Sequence, residues 1–167
     1  MDSESHSPTE RLHAYWRMPY IKANSKNSNS SNPFANLKDA DELKNHILVK
    51  GDHTCIMLNL YPYNAGHILV LPYREVSDIS DLNEHEQKEF MKFLIKSKSL
   101  LSQALSPNGF NIGFNLGKAA GAGIPKHLHC HVVPRWEGDH NFMPVISNTR
   151  VLPESIDEMW KQLKKYC

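Results

Sequence analysis

The chain is short of cysteine, of net charge and of long apolar runs. Three cysteines, Cys55, Cys130 and Cys167, stand in 167 residues. An odd number with no paired spacing excludes a disulfide framework and points to a reducing compartment, the cytoplasm. Lys plus Arg exceed Asp plus Glu only by 19 to 18, so the basic footprint of a nucleic-acid binder is missing. No apolar run approaches the ~20 residues that span a bilayer. Residues 1–10 are polar and acidic, unlike a secretion signal. Neither nucleic acid nor membrane is therefore expected as a partner. No acidic cluster offers an obvious magnesium site. Apolar residues make up 40% of the chain, and the length suits one domain with one core.

Histidine, by contrast, is plentiful, with ten residues. Three of them alternate with apolar residues in His127-Leu128-His129-Cys130-His131-Val132-Val133. On a β-strand, positions i, i+2 and i+4 share one face, so the imidazoles line one wall, ~7 Å apart. Leu128, Cys130 and Val132 then face a core, and Cys130 reads as a core thiol rather than a catalyst. A row of imidazoles near neutral pH can supply a nucleophile, a proton donor and an anion contact. His-x-His on a strand is also a zinc arrangement, so a zinc protein using the three histidines is the rival reading.

The approach to this stretch is rich in small residues. Residues 109–116 alternate like a strand. Gly117-Lys118-Ala119-Ala120-Gly121-Ala122-Gly123-Ile124-Pro125-Lys126 follows. Small residues let backbone come close to a ligand, and successive amides in such a turn can cradle an anion.

The remaining pattern is α+β with a mostly antiparallel sheet. Strands are expected at 47–49 and 54–60 around a Gly51-Asp52 turn, then at 67–71, 110–116 and 128–134. Residues 81–105 carry a helical stripe that includes Phe90, Phe93, Ser97, Leu100 and Leu101, read as core rather than partner surface. A second amphipathic helix is expected over 153–166, with Met159, Trp160 and Leu163 on one face. Residues 1–10 read as a flexible tail and 11–167 as a single domain. The Asn/Ser-rich stretch from residue 24 marks a mobile loop over 24–36.

The histidine stretch matches the His-φ-His-φ-His-φ-φ signature of the histidine triad (HIT) family, φ being apolar. A second block, residues 58–72 with Tyr61-Pro62-Tyr63-Asn64-Ala65-Gly66-His67, resembles the family's other strand–turn–strand segment. A third, Pro134-Arg135-Trp136-Glu137-Gly138-Asp139 running on to residue 144, is similar to a bacterial branch that includes diadenosine tetraphosphate phosphorylases and hydrolases. The resemblance covers residues 11 to 150. It implies a HIT-like fold: a mostly antiparallel five-stranded sheet, one long helix and a C-terminal helix.

The resemblance also implies a reaction. A dinucleoside polyphosphate such as diadenosine tetraphosphate would be cleaved at the α-phosphate through a covalent nucleotidyl-histidine, with water or inorganic phosphate as acceptor. His129 would be the nucleophile, His131 would contact phosphate oxygens, and His127 would sit beside the leaving group. His67 would support and orient the active histidine. Asn59 would hold the ribose, and Asn115 with Gly121, Ala122 and Gly123 the phosphates. A homodimer whose sheets join is implied too. Nucleoside phosphoramidase activity, or a nucleotide-binding adaptor with little turnover, are the alternatives.

Two departures from relatives carry weight. Many bacterial members hold zinc through an N-terminal Cys-x-x-Cys, matched here by Asn32-Pro33-Phe34-Ala35, and a histidine where Glu75 stands. No zinc and no other cofactor is therefore expected. Members resembling the fragile histidine triad hydrolases carry a Gln where Ala122 stands, and its absence tilts the expectation toward phosphorolysis.

Overall fold

The computed structural model describes residues 32–139 and 152–167. Five strands, Ile47–Lys50 (β1), Thr54–Leu58 (β2), Ile68–Pro72 (β3), Gly109–Phe114 (β4) and Cys130–Arg135 (β5), form one sheet in the order β1-β2-β3-β5-β4. All neighbours are antiparallel. A long helix, Glu84–Leu105 (α1), links β3 to β4, and a short one, Ile156–Lys164 (α2), ends the chain. The fold is α+β, as the sequence pattern and the resemblance imply.

The central strands Thr-Cys-Ile-Met-Leu and Ile-Leu-Val-Leu-Pro are buried at every position. Apart from Thr54 these runs are apolar, which suits strands covered on both faces. One face lies under α1 and α2, where Leu48, Ile56, Val70, Cys130 and Val132 join Phe90, Phe93, Leu100 and Leu163 in the main core. On the other face a smaller cluster joins Phe34 and Leu37 to Ile47, Cys55, Met57 and Leu69. Of the loop expected to be mobile over 24–36, the described part turns tightly. Phe34 N–H donates to Asn32 Oδ1 at 2.9 Å and the Phe34 ring is buried. Residues 1–31, with the expected tail and the Asn/Ser-rich stretch, and residues 140–151 lie outside the described residues.

Helix α1 starts later than the apolar stripe suggests. Asp78 caps a 3₁₀ turn, Ile79–Asp81, and Asn83 then caps α1 through a reciprocal pair with Glu86. Side-chain acceptors at helix starts satisfy amides that have no intrahelical partner, and two such caps in succession split the expected N-terminus. The stripe faces the sheet, and its one polar member, Ser97, is fully buried. Glu86 also takes Arg74, with Nε to Oε1 at 2.9 Å and Nη2 to Oε2 at 2.7 Å. That pair ties the segment after β3 to α1. Helix α2 closes over β1, with Trp160 Nε1–H on the Ile47 carbonyl and Lys164 on the Leu48 carbonyl.

One expected boundary is corrected. The ladder of β5 begins at Cys130, two residues after the start read from the sequence. The β3–β5 pairing ends at Val70↔Cys130. Just before it, the Leu128 N–H turns to the Val76 carbonyl at 2.6 Å. Only His131 of the triad is a strand residue; His127 sits in a bend, its N–H on the Ile124 carbonyl at 3.1 Å, and His129 in the irregular segment that leads into β5.

Candidate active site

Alternation survives that shift. Leu128, Cys130 and Val132 are buried in the helix-side core. His127, His129 and His131 occupy the opposite face, where the Phe34 ring lies 5.3 Å from His127 and 5.6 Å from His129. The His129 and His131 rings meet edge to face at 5.1 Å. Cys130 is free, and burial pushes its thiol up to about 12, far from a thiolate nucleophile.

Hydrogen bonds to the backbone fix which nitrogens carry protons. The His129 ring sits with Nδ1 2.8 Å from the His127 carbonyl. A carbonyl only accepts, so Nδ1 holds the proton and Nε2 of the neutral ring keeps its lone pair. His127 Nε2 lies 2.7 Å from the Pro72 carbonyl, so the proton of that ring is on Nε2. Its Nδ1 lies 2.8 Å from the Asn32 amide nitrogen and accepts from it. Burial lowers the pKa of both histidines, because removing water penalises the imidazolium. Both rings are therefore neutral at physiological pH.

A second relay holds His131. Gly66 precedes His67 with φ +72, and a Cβ there would meet Leu105 Cδ1 at 2.5 Å. The backbone angle favours glycine, and a side chain here would also have to push the end of Leu105 aside. This turn delivers His67 to the start of β3, beside β5. The Tyr63 N–H donates to His67 Nδ1 at 3.0 Å, so the proton of the neutral ring is on Nε2. Nε2 lies 3.0 Å from His131 Nδ1 and donates to it. His131 Nε2 lies 3.4 Å from Asn115 Nδ2, an amide nitrogen that only donates, so Asn115 as placed asks Nε2 to accept while the His67 contact asks it to carry the proton. The Tyr63 ring stacks on His131 at 5.4 Å.

The other residues singled out from the sequence fall in less uniform places. Asn59 Oδ1 accepts the Tyr61 N–H at 2.9 Å, and its amide nitrogen lies 3.3 Å from His67 Nδ1. The loop before the triad is closed on itself at two of its amides. Gly121 N–H reaches Lys118 O at 3.0 Å and Ala122 N–H reaches Gly117 O at 3.3 Å. Those donors serve the loop rather than an anion, and Gly121 adopts φ +87 to allow it. His127, expected beside the leaving group, has both ring nitrogens engaged by the protein.

Sequence reading alone gave no site role to three groups. Tyr63 is one. The others are the Asn32–Glu75 pair and a brace in which Asp139 takes Arg135 in two bonds and Asn64 Nδ2 in a third. The brace ties the Gly66-His67 turn to the end of β5. Its members fall in the second and third blocks that carry the resemblance, but neither block said that they meet.

Among the described residues no group of three or more His, Cys, Asp or Glu could hold a metal ion. At the positions that match zinc ligands in relatives, Asn32 offers amide hydrogens and Ala35 offers nothing. His127 Nδ1 is already an acceptor for Asn32. Glu75 and His127 keep a carboxylate and an imidazole, ligand types that zinc takes, but Asn32 and Ala35 supply no thiolate, so these positions fall short of the four ligands of a structural zinc.

Comparison with known proteins places the chain in a family. The chain is 39% identical over 151 residues to an AP-4-A phosphorylase of Mycobacterium tuberculosis, covering 87% of this chain and 77% of that protein. It is 34% identical over 82 residues to a bis(5'-nucleosyl)-tetraphosphatase [asymmetrical] of Schizosaccharomyces pombe, covering 49% of this chain and 44% of that one. A zinc-bound histidine triad family protein from Mycobacterium smegmatis shares the fold at TM-score 0.60 and 21% identity, covering 89% of this chain and 91% of that one. The HIT domain family profile matches residues 40–138, more than half of the sequence, and the chain belongs to that family.

Proposed function

We propose that this protein cleaves dinucleoside polyphosphates at an α-phosphate by nucleotidyl transfer through His129. The observation that carries the reading is the state of that ring. It is buried, neutral and pinned at Nδ1 by a carbonyl, so its Nε2 lone pair is available. In the first step Nε2 attacks the α-phosphorus and the bond to the bridging oxygen breaks. Diadenosine tetraphosphate then releases ATP and leaves an adenylyl group on His129. In the second step the acceptor oxygen attacks phosphorus and the P–N bond breaks. Inorganic phosphate gives ADP, and water gives AMP. Two easier displacements replace one hard one.

The other histidines serve charge and orientation in this scheme. His131 donates its Nε2–H to a non-bridging phosphate oxygen, where charge builds in the transition state. His67 fixes that proton by donating to His131 Nδ1. Asn115, beside His131, adds a phosphate contact, and Asn59 holds the ribose. Gly121, Ala122 and Gly123 shape the mouth of the loop. Two features favour phosphate as acceptor: Ala122 where hydrolytic members carry Gln, and the similarity to an AP-4-A phosphorylase. A homodimer built on β4 agrees with that strand's place at the sheet edge and with Ile112, which is 47% exposed there. A cytoplasmic setting agrees with three free thiols.

Product analysis on diadenosine tetraphosphate, with and without inorganic phosphate, tests the reading. ADP plus ATP formed only with phosphate supports phosphorolysis. AMP plus ATP regardless of phosphate supports hydrolysis. No turnover in either condition refutes the substrate assignment and turns attention to nucleoside phosphoramidates.

A further inference from the structure

The buried contacts of the triad lead outward to two residues that touch no reacting atom. Asn32 Nδ2 lies 2.5 Å from Glu75 Oε2 and 2.8 Å from His127 Nδ1. Asn32 Oδ1 takes the Phe34 N–H at 2.9 Å. The amide orientation is thereby over-determined. Its oxygen must face a donor, and its two hydrogens face a carboxylate and a ring nitrogen. Turning the amide over would break all three bonds. A rigid acceptor–donor order is thus imposed on His127 from outside.

We propose that Glu75 and Asn32 form a tautomer lock that positions His129 through His127. Glu75 holds Asn32, Asn32 holds His127 as its Nε2–H form on the Pro72 carbonyl, and the His127 carbonyl holds His129 Nδ1–H. The order of protons along this chain leaves the lone pair of His129 on the substrate side. Without Asn32, His127 could protonate Nδ1 instead, lose the Pro72 carbonyl and shift the carbonyl that aims His129. Small displacements of a nucleophile are costly in rate. Glu75 and Asn32 are positioning residues here, and Phe34, on the same turn, walls both rings. The lock occupies positions that the resemblance matches to zinc ligands, where Asn32 stands in place of a thiolate. Its effect on rate rests on the nucleotidyl-transfer reading; its effect on tautomers does not.

The charged and titratable groups facing His127 are Glu75, from the segment after β3, and His129, on its own segment. Lys126 precedes it and is exposed. Ring-nitrogen NMR of labelled histidine reads the lock directly, beside kcat and KM on diadenosine tetraphosphate. In the unmodified protein His127 should show a protonated Nε2 and His129 a protonated Nδ1. Asn32→Ala and Glu75→Ala should each lower kcat about tenfold with KM nearly unchanged, and blur the tautomer of His127. Glu75→Gln keeps an acceptor for the Asn32 amide and should restore most of what Glu75→Ala loses. Asn32→Asp places a carboxylate on Nδ1 and should turn His127 into imidazolium at neutral pH, raising the acid limb of the kcat profile. Glu75 is exposed, so its variants report even if Asn32→Ala fails to fold. A protonated Nδ1 on His127 in the unmodified protein overturns the lock. So do Glu75→Ala and Glu75→Gln that leave kcat and both tautomers unchanged, or that lose them equally. If the tautomers follow the variants but no dinucleoside polyphosphate turns over, the lock stands and the substrate assignment fails.

Discussion

The two faces of residues 127–133 are made by the same backbone and do opposite work. Leu128, Cys130 and Val132 point under the helices and are almost wholly buried among apolar side chains. His127 and His129 are nearly as buried, at 1% and 8% exposure, yet each ring is held by named polar partners. Burial on the first face is a source of stability, roughly 25 cal/mol per Å². On the second face the same burial lowers imidazole pKa values and keeps the rings neutral. Alternation therefore does more than sort apolar from polar. It places neutral imidazoles on a wall that the opposite face makes rigid.

Substitutions on each face should separate these roles. The largest effect belongs to His129→Ala, which should lower kcat by at least ~10⁴-fold while nucleotide affinity and melting temperature change little. Rates beside calorimetric binding to the same variant check this. A variant that fails to fold would move His129 to the structural face. Next comes Leu100→Ala, on the helix side of the core. It should cost about 2–5 kcal/mol in denaturant titration, with kcat of the folded fraction unchanged. A selective loss of kcat would show that the two faces are coupled.

His67→Ala lies between these extremes. It strips His131 of the donor at Nδ1, frees the tautomer, and should lower kcat about 10- to 100-fold. Steady-state rates that stay within twofold would remove His67 from the relay. Glu86→Ala should cost about 1–2 kcal/mol by losing its reciprocal cap with Asn83. The Arg74 pair adds little because Arg74 is half exposed, at 51%. A thermal melt with no shift would reject that assignment.

The smallest effect is on pH dependence. Burial lowers the pKa of His127 and His129 in the folded state. The unfolded chain then binds more protons below its own value near 6.5. Stability should fall as pH drops through ~6.5 and keep falling until the folded values are passed. Unfolding midpoints measured in steps from pH 7.5 to about 5 would show the decline, and a rise would reverse the sign assigned to burial.

The chemistry-bearing face was readable from sequence because its signal is local. Alternation over residues 127–133 assigns each side chain to a face without knowledge of any partner. Gly66-His67 was legible through the resemblance to the family's second segment rather than through any local pattern. The lock and the brace were not, because their partners are distant in sequence. Asn32 and His127 stand 95 positions apart, and Asn64 and Asp139 stand 75 apart. Composition misled at the glycine-rich loop, where small residues promise open amides. Gly121 and Ala122 instead bond inward. Strand boundaries slipped for a similar reason, since the ladder at Cys130 depends on the reach of β3.

The central claim is a covalent nucleotidyl group on His129, and trapping it is the most direct test. The protein would be mixed with diadenosine tetraphosphate in the absence of inorganic phosphate, quenched within milliseconds under alkaline conditions that preserve the P–N bond, and mapped by peptide mass spectrometry. The account predicts one adenylyl group, on His129, that disappears when phosphate is added before the quench. Turnover without an adduct, or an adduct on another residue, would contradict it.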